Sequence, residues 1–391
     1  MREFILATLS DMGYDKLEGI EHPVRNFAYR YSTQDKGAPA EATGMVGIPV
    51  GLEDQGPLPV LLWLHPTTGF SDDCAPSGDP LLGPGQSSIL ASLGYIVVAP
   101  DFIGMIGLGE PSPTGTIHPY MVAQPTALAS LDAVRAALKY LAEDPDLPDG
   151  DPSRVILWGG SQGGHACFMT ERYQPHYAPE LDIMAVAAAI PGTDLLAQAE
   201  YGISTWSDTS QLLAAVIIAH NAWFDLGELP EILTDQAPGY IASTAPGLMA
   251  SQCSAGDVYS GLEGVDEVYT EAVRAAVATG TFDDFSPWGC YLRESSADRM
   301  SIPRLSDTPF LATFGEKDEL SHTPTELAAM ARYCANGYRI EQVNCADMMH
   351  AEAGTATLHY MHKWTQARLA GEPWAEDRIC GSADPMNCDE L

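Results

Sequence analysis

The stretch VILWGGSQGG, residues 155–164, joins an apolar β-type run to G-x-S-x-G and then to the helical pattern GHACFMTERY. Four large apolar residues ending in glycine read as a buried strand. A G-x-S-x-G between a strand and a helix is the setting in which a serine sits on a strained turn with its hydroxyl presented outward. Ser161 is therefore the candidate nucleophile. Gly160, Gly163 and Gly164 supply positions without side chains, which such a turn needs in order to close. A serine hydroxyl attacks a carbonyl only when a base takes its proton and an acid orients that base.

Working outward, short β-rich runs alternate with helical patterns, as expected of a mostly parallel sheet flanked by helices. The runs are 28–32, 44–50, 60–64 (VLLWL), 95–100 (YIVVAP), 155–159, 185–190, 310–314 and 340–343. Between the fourth and fifth, residues 124–144 set Leu128, Leu131, Val134, Leu138 and Leu141 on one helical face, followed by DPDLPDGDPS as a loop. From 194 to 306 the alternation stops and helical patterns such as 210–224 and 265–279 follow one another. The expected organisation is an α/β-hydrolase core in two parts, residues 1–193 and 307–391, with a mainly helical cap inserted at 194–306. Trp206, Trp223, Phe224, Phe282 and Trp288 are read as the cap's own core, with an acyl pocket as the alternative.

In this fold the chain order is serine, acid, histidine, with the acid after a late strand and the histidine after the last one. TPFLATFGEKDELS, residues 308–321, is a strand ending in a turn, and Asp318 stands where the acid belongs, with Glu316 and Glu319 as competitors. IEQVNCADMMHAEAG, residues 340–354, supplies a last strand and a loop containing His350, the candidate base. His322 shares the acid's loop, His359 and His362 fall in a helical pattern, and His165 is read as packing. The tetrahedral intermediate needs two backbone N–H donors. One is Gln162, directly after the nucleophile. The second comes from the loop after VLLWL, where Pro66 has no N–H, so the donor is Thr67, with Thr68 the alternative.

Composition bounds the rest. With 53 acidic against 19 basic residues among 391, the formal charge is −34. Such a field repels phosphate backbones, so nucleic acid is excluded as a partner. No stretch approaches the roughly 18 apolar residues of a membrane span, so no integral membrane association is expected. The apolar run at 4–9 is too short for a signal-peptide core, and the expectation is a secreted or periplasmic protein whose leader is absent from this chain. The eight cysteines (74, 167, 253, 290, 334, 345, 380 and 388) lack zinc-type pairs and fit disulfides. Spacing suggests the local bridges Cys334–Cys345 and Cys380–Cys388, while Cys167, inside an apolar helix pattern, reads as a buried thiol. No metal-binding spacing appears, and neither metal nor cofactor is required.

HPTTGFSDDCAPS, residues 65–77, together with GGSQGG, residues 159–164, resembles the bacterial branch of the secretory lipase family, typified by the fungal lipase A enzymes. The resemblance spans most of the chain. His65, Thr67, Thr68, Gly69 and Cys74 to Ser77 keep the pattern H-G-T-T-G…C-A-P-S, with Pro66 in place of the glycine. It implies an α/β-hydrolase core, a helical cap between the sixth strand and the acid, hydrolysis of small-molecule or lipid carboxylic esters, and a Cys74–Cys253 bridge; acyl length is not part of it, and short to medium acyl esters are expected because no cationic clamp for a charged acid stands near the motifs. Rival readings on the same fold are acyl transfer to an alcohol or peptide hydrolysis, though a prolyl oligopeptidase-type propeller would not fit in this length. A non-catalytic binding protein is the rival from another class.

Overall fold

Nine strands form one sheet in the order β1-β2-β4-β3-β5-β6-β7-β8-β9. They are β1 (Val24–Asp35), β2 (Ala38–Pro49), β3 (Leu58–Leu64), β4 (Ile96–Pro100), β5 (Gly150–Gly160), β6 (Ile183–Ala189), β7 (Pro309–Gly315), β8 (Arg339–Cys345) and β9 (Pro385–Met386). The pairs β1/β2 and β2/β4 are antiparallel and the others parallel. This is the α/β-hydrolase fold. The structure is a computed structural model that describes residues 13–113, 116–227, 229–234, 253, 262–374 and 376–391; the run at 4–9 lies outside them.

The uninterrupted apolar runs follow from a sheet covered on both faces. Val60, Leu62 and Leu64 of β3 pack with Leu131 and Val134 of the helix Ala123–Glu143 and Phe168 of the helix Gln162–Tyr177. Leu61 and Trp63 point the other way, into a cluster with Trp158, Met361 and Trp364, the last two on the helix His350–Leu369. Each such side chain contributes roughly 1.5–3 kcal/mol on burial. The stretch DPDLPDGDPS is only partly a loop: β5 begins within it at Gly150, opposite Leu58. A Cβ at Gly150 would come within 2.5 Å of Leu138 Cδ2, so the glycine lets that helix side chain lie directly over the start of the strand.

Between β6 and β7 lie the helices Leu195–Ser204, Asp208–Phe224, Leu229–Ile232, Val265–Val268, Glu271–Ala278 and Trp288–Glu294, with no strand among the described residues. The single helix expected over 265–279 is two. Tyr269 turns inward to bond the Ser210 carbonyl, and Thr270 caps the second helix at the Val273 N–H. Phe282 and Trp288 form a separate apolar cluster with Leu213, Ile217 and Leu292, joined by Phe70, Tyr120 and Met121 from the sheet's loops. The fully buried Asp194 carboxylate ties the insertion's two ends together, accepting hydrogen bonds from Arg299 at 2.9 Å and from Arg332. Among the described residues no helix is long and apolar enough to cross a membrane.

Three disulfides close the chain: Cys74–Cys253, Cys334–Cys380 and Cys345–Cys388. The first is the bridge that the family resemblance implies. The local pairs suggested by spacing, Cys334–Cys345 and Cys380–Cys388, are not formed. Cys334 ends the helix Thr323–Ala335, whereas Cys345 stands at the far end of β8. Strand rise alone separates the two ends of β8 by about 20 Å. The C-terminal tail runs alongside: Cys380 N–H donates to Ile340 O at 2.7 Å, and Met386 pairs with Cys345. One tail cysteine therefore meets each end of the strand. Cys167 is a buried free thiol, as the sequence suggested, and Cys290 is free and exposed.

Candidate active site

Ser161 sits at the C-terminal end of β5 and caps the helix Gln162–Tyr177, with φ 55° and ψ −116°. A positive φ is unusual for a residue with a side chain and persists only where its surroundings over-determine it. Here the Ser161 N–H donates to Ala189 O at 2.9 Å on the neighbouring strand, and its carbonyl accepts from His165 N–H at 3.0 Å. Close packing does the rest. A Cβ on Gly163 would lie 1.9 Å from Leu64 O, one on Gly159 2.3 Å from Gly163 O, and one on Gly164 2.9 Å from the Pro191 side chain. Gly160, expected to serve the same need, faces open space. The glycine that matters before the serine is Gly159.

Asp318, in the turn after β7, and His350, at the start of the helix that follows β8, come together. His350 Nδ1 lies 2.8 and 2.7 Å from the two Asp318 carboxylate oxygens, in a pair that is almost fully buried. Asp318 Oδ1 also accepts the N–H groups of Leu320 and Ser321, which fixes the carboxylate's direction. The two competing acids hold backbone instead. Glu316 accepts Asp347 N–H at 2.8 Å and Glu319 accepts His350 N–H at 2.9 Å. His350 is not within a loop but opens the helix His350–Leu369. Its Nε2 is buried and without a hydrogen-bond partner among the described residues. The expected Ser161–His350 bond is thus not closed in this arrangement, and such bonds commonly tighten only with substrate in place.

Two of the histidines set aside in the sequence make other contacts. His322 stacks on Tyr201 at 3.7 Å and bonds Thr325. His165 is buried against Ser295 O at 2.9 Å, and burial lowers its pKa to about 4.

As first residue of its helix, Gln162 keeps a backbone N–H outside the helical ladder. Its side chain is buried, with Nε2 2.7 Å from His118 Nε2. On the facing loop Pro66 O lies 2.7 Å from His65 Nδ1, and Thr67 Oγ1 shares a 2.7 Å hydrogen bond with Tyr120 OH. Thr68 Oγ1 is buried with no partner among the described residues. His118 and Tyr120 were not singled out by sequence, because they lie in a strandless stretch and gain meaning only through long-range contacts.

Ser161 opens on a cavity of about 40 Å³ walled by Met121, Leu195, Leu212, Leu213, Val216 and Leu320. Ser321, whose N–H holds Asp318, lines the same cavity, so the acid's loop and Ser161 share one space. Leu212, Leu213 and Val216 form one side of the helix Asp208–Phe224. None of the five aromatics named from the sequence lines the cavity; Phe282 and Trp288 are core, and Trp223 packs beneath Lys36. No group of three or more metal-ligating side chains occurs among the described residues.

The secretory lipase family model matches residues 87–205, the segment that carries Ser161. Lipase 6 of Candida albicans is 33% identical over 132 residues, 31% of this chain and 25% of that protein. Lipase A of Arthroderma benhamiae is 26% identical over 285 residues, 71% of this chain and 54% of that protein. The chain thus spans between a quarter and about half of these relatives' lengths. Among solved structures, the rice cell wall degrading esterase LipA from Xanthomonas oryzae superposes with a TM-score of 0.70 at 23% identity, over 95% of this chain and 96% of that one. Over residues 87–205, the segment that carries Ser161, the chain is thus similar in sequence to the secretory lipases, and over nearly all its length it shares the fold of the Xanthomonas oryzae esterase.

Proposed function

We propose that this chain hydrolyses carboxylic esters through an acyl-enzyme on Ser161, and that the helical insertion at 194–306 caps the acyl pocket. The observation that carries the reading is the Asp318–His350 pair: a carboxylate with both oxygens within 2.8 Å of Nδ1, leaving Nε2 unpartnered among the described residues. Ser161 Oγ attacks the ester carbonyl while His350 Nε2 takes its proton. Asp318 keeps the ring in the productive tautomer and stabilises the imidazolium that forms. The oxyanion accepts from the backbone N–H groups of Gln162 and Thr67. His350 then returns the proton to the leaving alcohol, and a water, deprotonated by the same nitrogen, releases the acid.

The cavity argues for short acyl groups. A water needs roughly 10–15 Å³ of such space, so about 40 Å³ accepts a chain of only a few carbons before the cap residues must move. The substrate is then a small-molecule or lipid ester with a short to medium acyl chain, in keeping with mainly apolar walls that include no Lys or Arg among the described residues. Three disulfides favour an exported protein.

The test is turnover of p-nitrophenyl esters from acetate to palmitate by the wild type and by Ser161→Ala, with circular dichroism to check folding. The wild type should be fastest on the short esters and the variant at background. Wild-type rates from a folded Ser161→Ala would sink the reading.

A further inference from the structure

His118 and Tyr120, two residues apart and outside the proposed chemistry, each bond the side chain of one of the two proposed oxyanion donors, Gln162 and Thr67. The His118 ring is fully buried and lies against Phe102 with 15° between planes. Its Nδ1 is 2.8 Å from Ile103 O, a carbonyl that can only accept, so Nδ1 carries the proton and Nε2 is an acceptor. That acceptor faces Gln162 Nε2 at 2.7 Å, which also sets the orientation of the Gln162 amide. Burial keeps the ring neutral, lowering its pKa to about 4. The Gln162 amide oxygen is buried without a partner among the described residues, so the bond to His118 is the side chain's one anchor there.

Two residues on, Tyr120 is equally buried, its ring edge-on to Phe70 at 5.2 Å. Its hydroxyl shares the 2.7 Å bond with Thr67 Oγ1. The Tyr120 N–H closes back on His118 O at 2.7 Å around Pro119, so the two rings are held at a set spacing, 6.1 Å between centroids. Oxyanion donors act by being in place before charge develops, and displacements well under an ångström already weaken them.

We propose that His118 and Tyr120 are positioning residues for the oxyanion hole: His118 anchors Gln162, Tyr120 anchors Thr67, and the turn between them sets the two donors against each other. His118 does not line the cavity at Ser161; Tyr120 does, and the role assigned to it here is through its hydroxyl on Thr67. The inference rests on the reading of Ser161 as nucleophile.

The experiment compares Tyr120→Phe, Thr67→Val, Thr67→Ser, the double variant Tyr120→Phe/Thr67→Val and His118→Phe on p-nitrophenyl butyrate. It adds the affinities of a butyl trifluoromethyl ketone, which forms an oxyanion on the serine, and of the matching secondary alcohol, which does not. Tyr120→Phe and Thr67→Val should each lower kcat about tenfold or more, with KM within twofold. The double variant should fall no further, because both remove the same bond. Thr67→Ser, which keeps the hydroxyl, should recover most of the Thr67→Val loss. Ketone affinity should drop in step with kcat while alcohol affinity holds.

A merely structural role would weaken ketone and alcohol alike, and that result overturns the proposal. So does kcat within twofold of wild type in Tyr120→Phe and Thr67→Val while Ser161→Ala is inactive. If Tyr120→Phe or His118→Phe fails to fold, the Thr67→Val and Thr67→Ser pair decides on the same criteria. An active Ser161→Ala would instead overturn the reading of the nucleophile.

Discussion

The Glu319 carboxylate accepts the backbone N–H of His350 at 2.9 Å, while Asp318, its neighbour in sequence, holds the ring of that same residue. Adjacent acids thus fix main chain and side chain separately. On the proposed mechanism Asp318→Asn, which leaves the shape but favours the wrong imidazole tautomer, should cost about 10³–10⁴ in kcat. Glu319→Gln keeps an oxygen for the N–H and should cost no more than about tenfold. Equal losses, measured on one short ester, would mean the two acids had been assigned roles they do not have.

The elbow makes a contrast between its glycines. A Cβ added at Gly160 would meet nothing within 4 Å, whereas the same atom on Gly163 would meet Leu64 O at 1.9 Å. Backbone cannot yield there without moving β3. Gly160→Ala should unfold within a few degrees of wild type, and Gly163→Ala should lose several kcal/mol or fail to fold. Thermal midpoints of the two purified variants check this, and similar midpoints would refute it.

Cys74 and Cys253 are 179 residues apart, and their bridge fastens the loop carrying Thr67 to a residue of the insertion. Gly69, at φ +139°, passes so close that a Cβ would lie 2.4 Å from Cys74 Sγ. Cys74→Ser/Cys253→Ser should lose about 2–4 kcal/mol, chiefly by freeing the unfolded chain. Chemical denaturation measures it; an unchanged midpoint would show the bridge to be dispensable.

Burial lowers the pKa of His65, His118, His165 and His220 from 6.5 to about 4. The unfolded chain takes up these protons first, so their contribution is full above about pH 6.5 and is lost as pH falls toward 4. Glu326, pushed up by burial to about 7, acts in the opposite sense: its contribution is full below about 4.5 and is lost as pH rises through 7. His220, in the insertion and bonded to Val216 O, isolates one of the four. His220→Gln should flatten the dependence of unfolding free energy on pH between 6.5 and 5 by up to about 1.4 kcal/mol per pH unit. The same slope in both proteins would contradict a buried neutral imidazole at that position.

Local chemistry made much of this chain legible. A strand covered on both faces must be apolar throughout, so VLLWL and VILWG announce themselves, and a strand–glycine–serine–glycine–helix junction singles out Ser161 as the candidate nucleophile within ten residues. Chain order then leads to Asp318 and His350, which the structure brings within hydrogen-bonding distance of each other. What the sequence by itself could not decide were relations between segments far apart. Short spacing pointed to Cys334–Cys345 and Cys380–Cys388, yet a strand's length separates the first two, and the returning tail re-pairs all four. His118 and Tyr120 belong to no periodic pattern; only the packed loops bring one to Gln162 and the other to Thr67. The strand-to-helix turn that presents Ser161 was therefore determined by its immediate neighbours in the chain, whereas the disulfide partners, the walls of the cavity beside it and the side-chain bonds of Gln162 and Thr67 were decided by tertiary structure, because these depend on which loops the sheet places side by side.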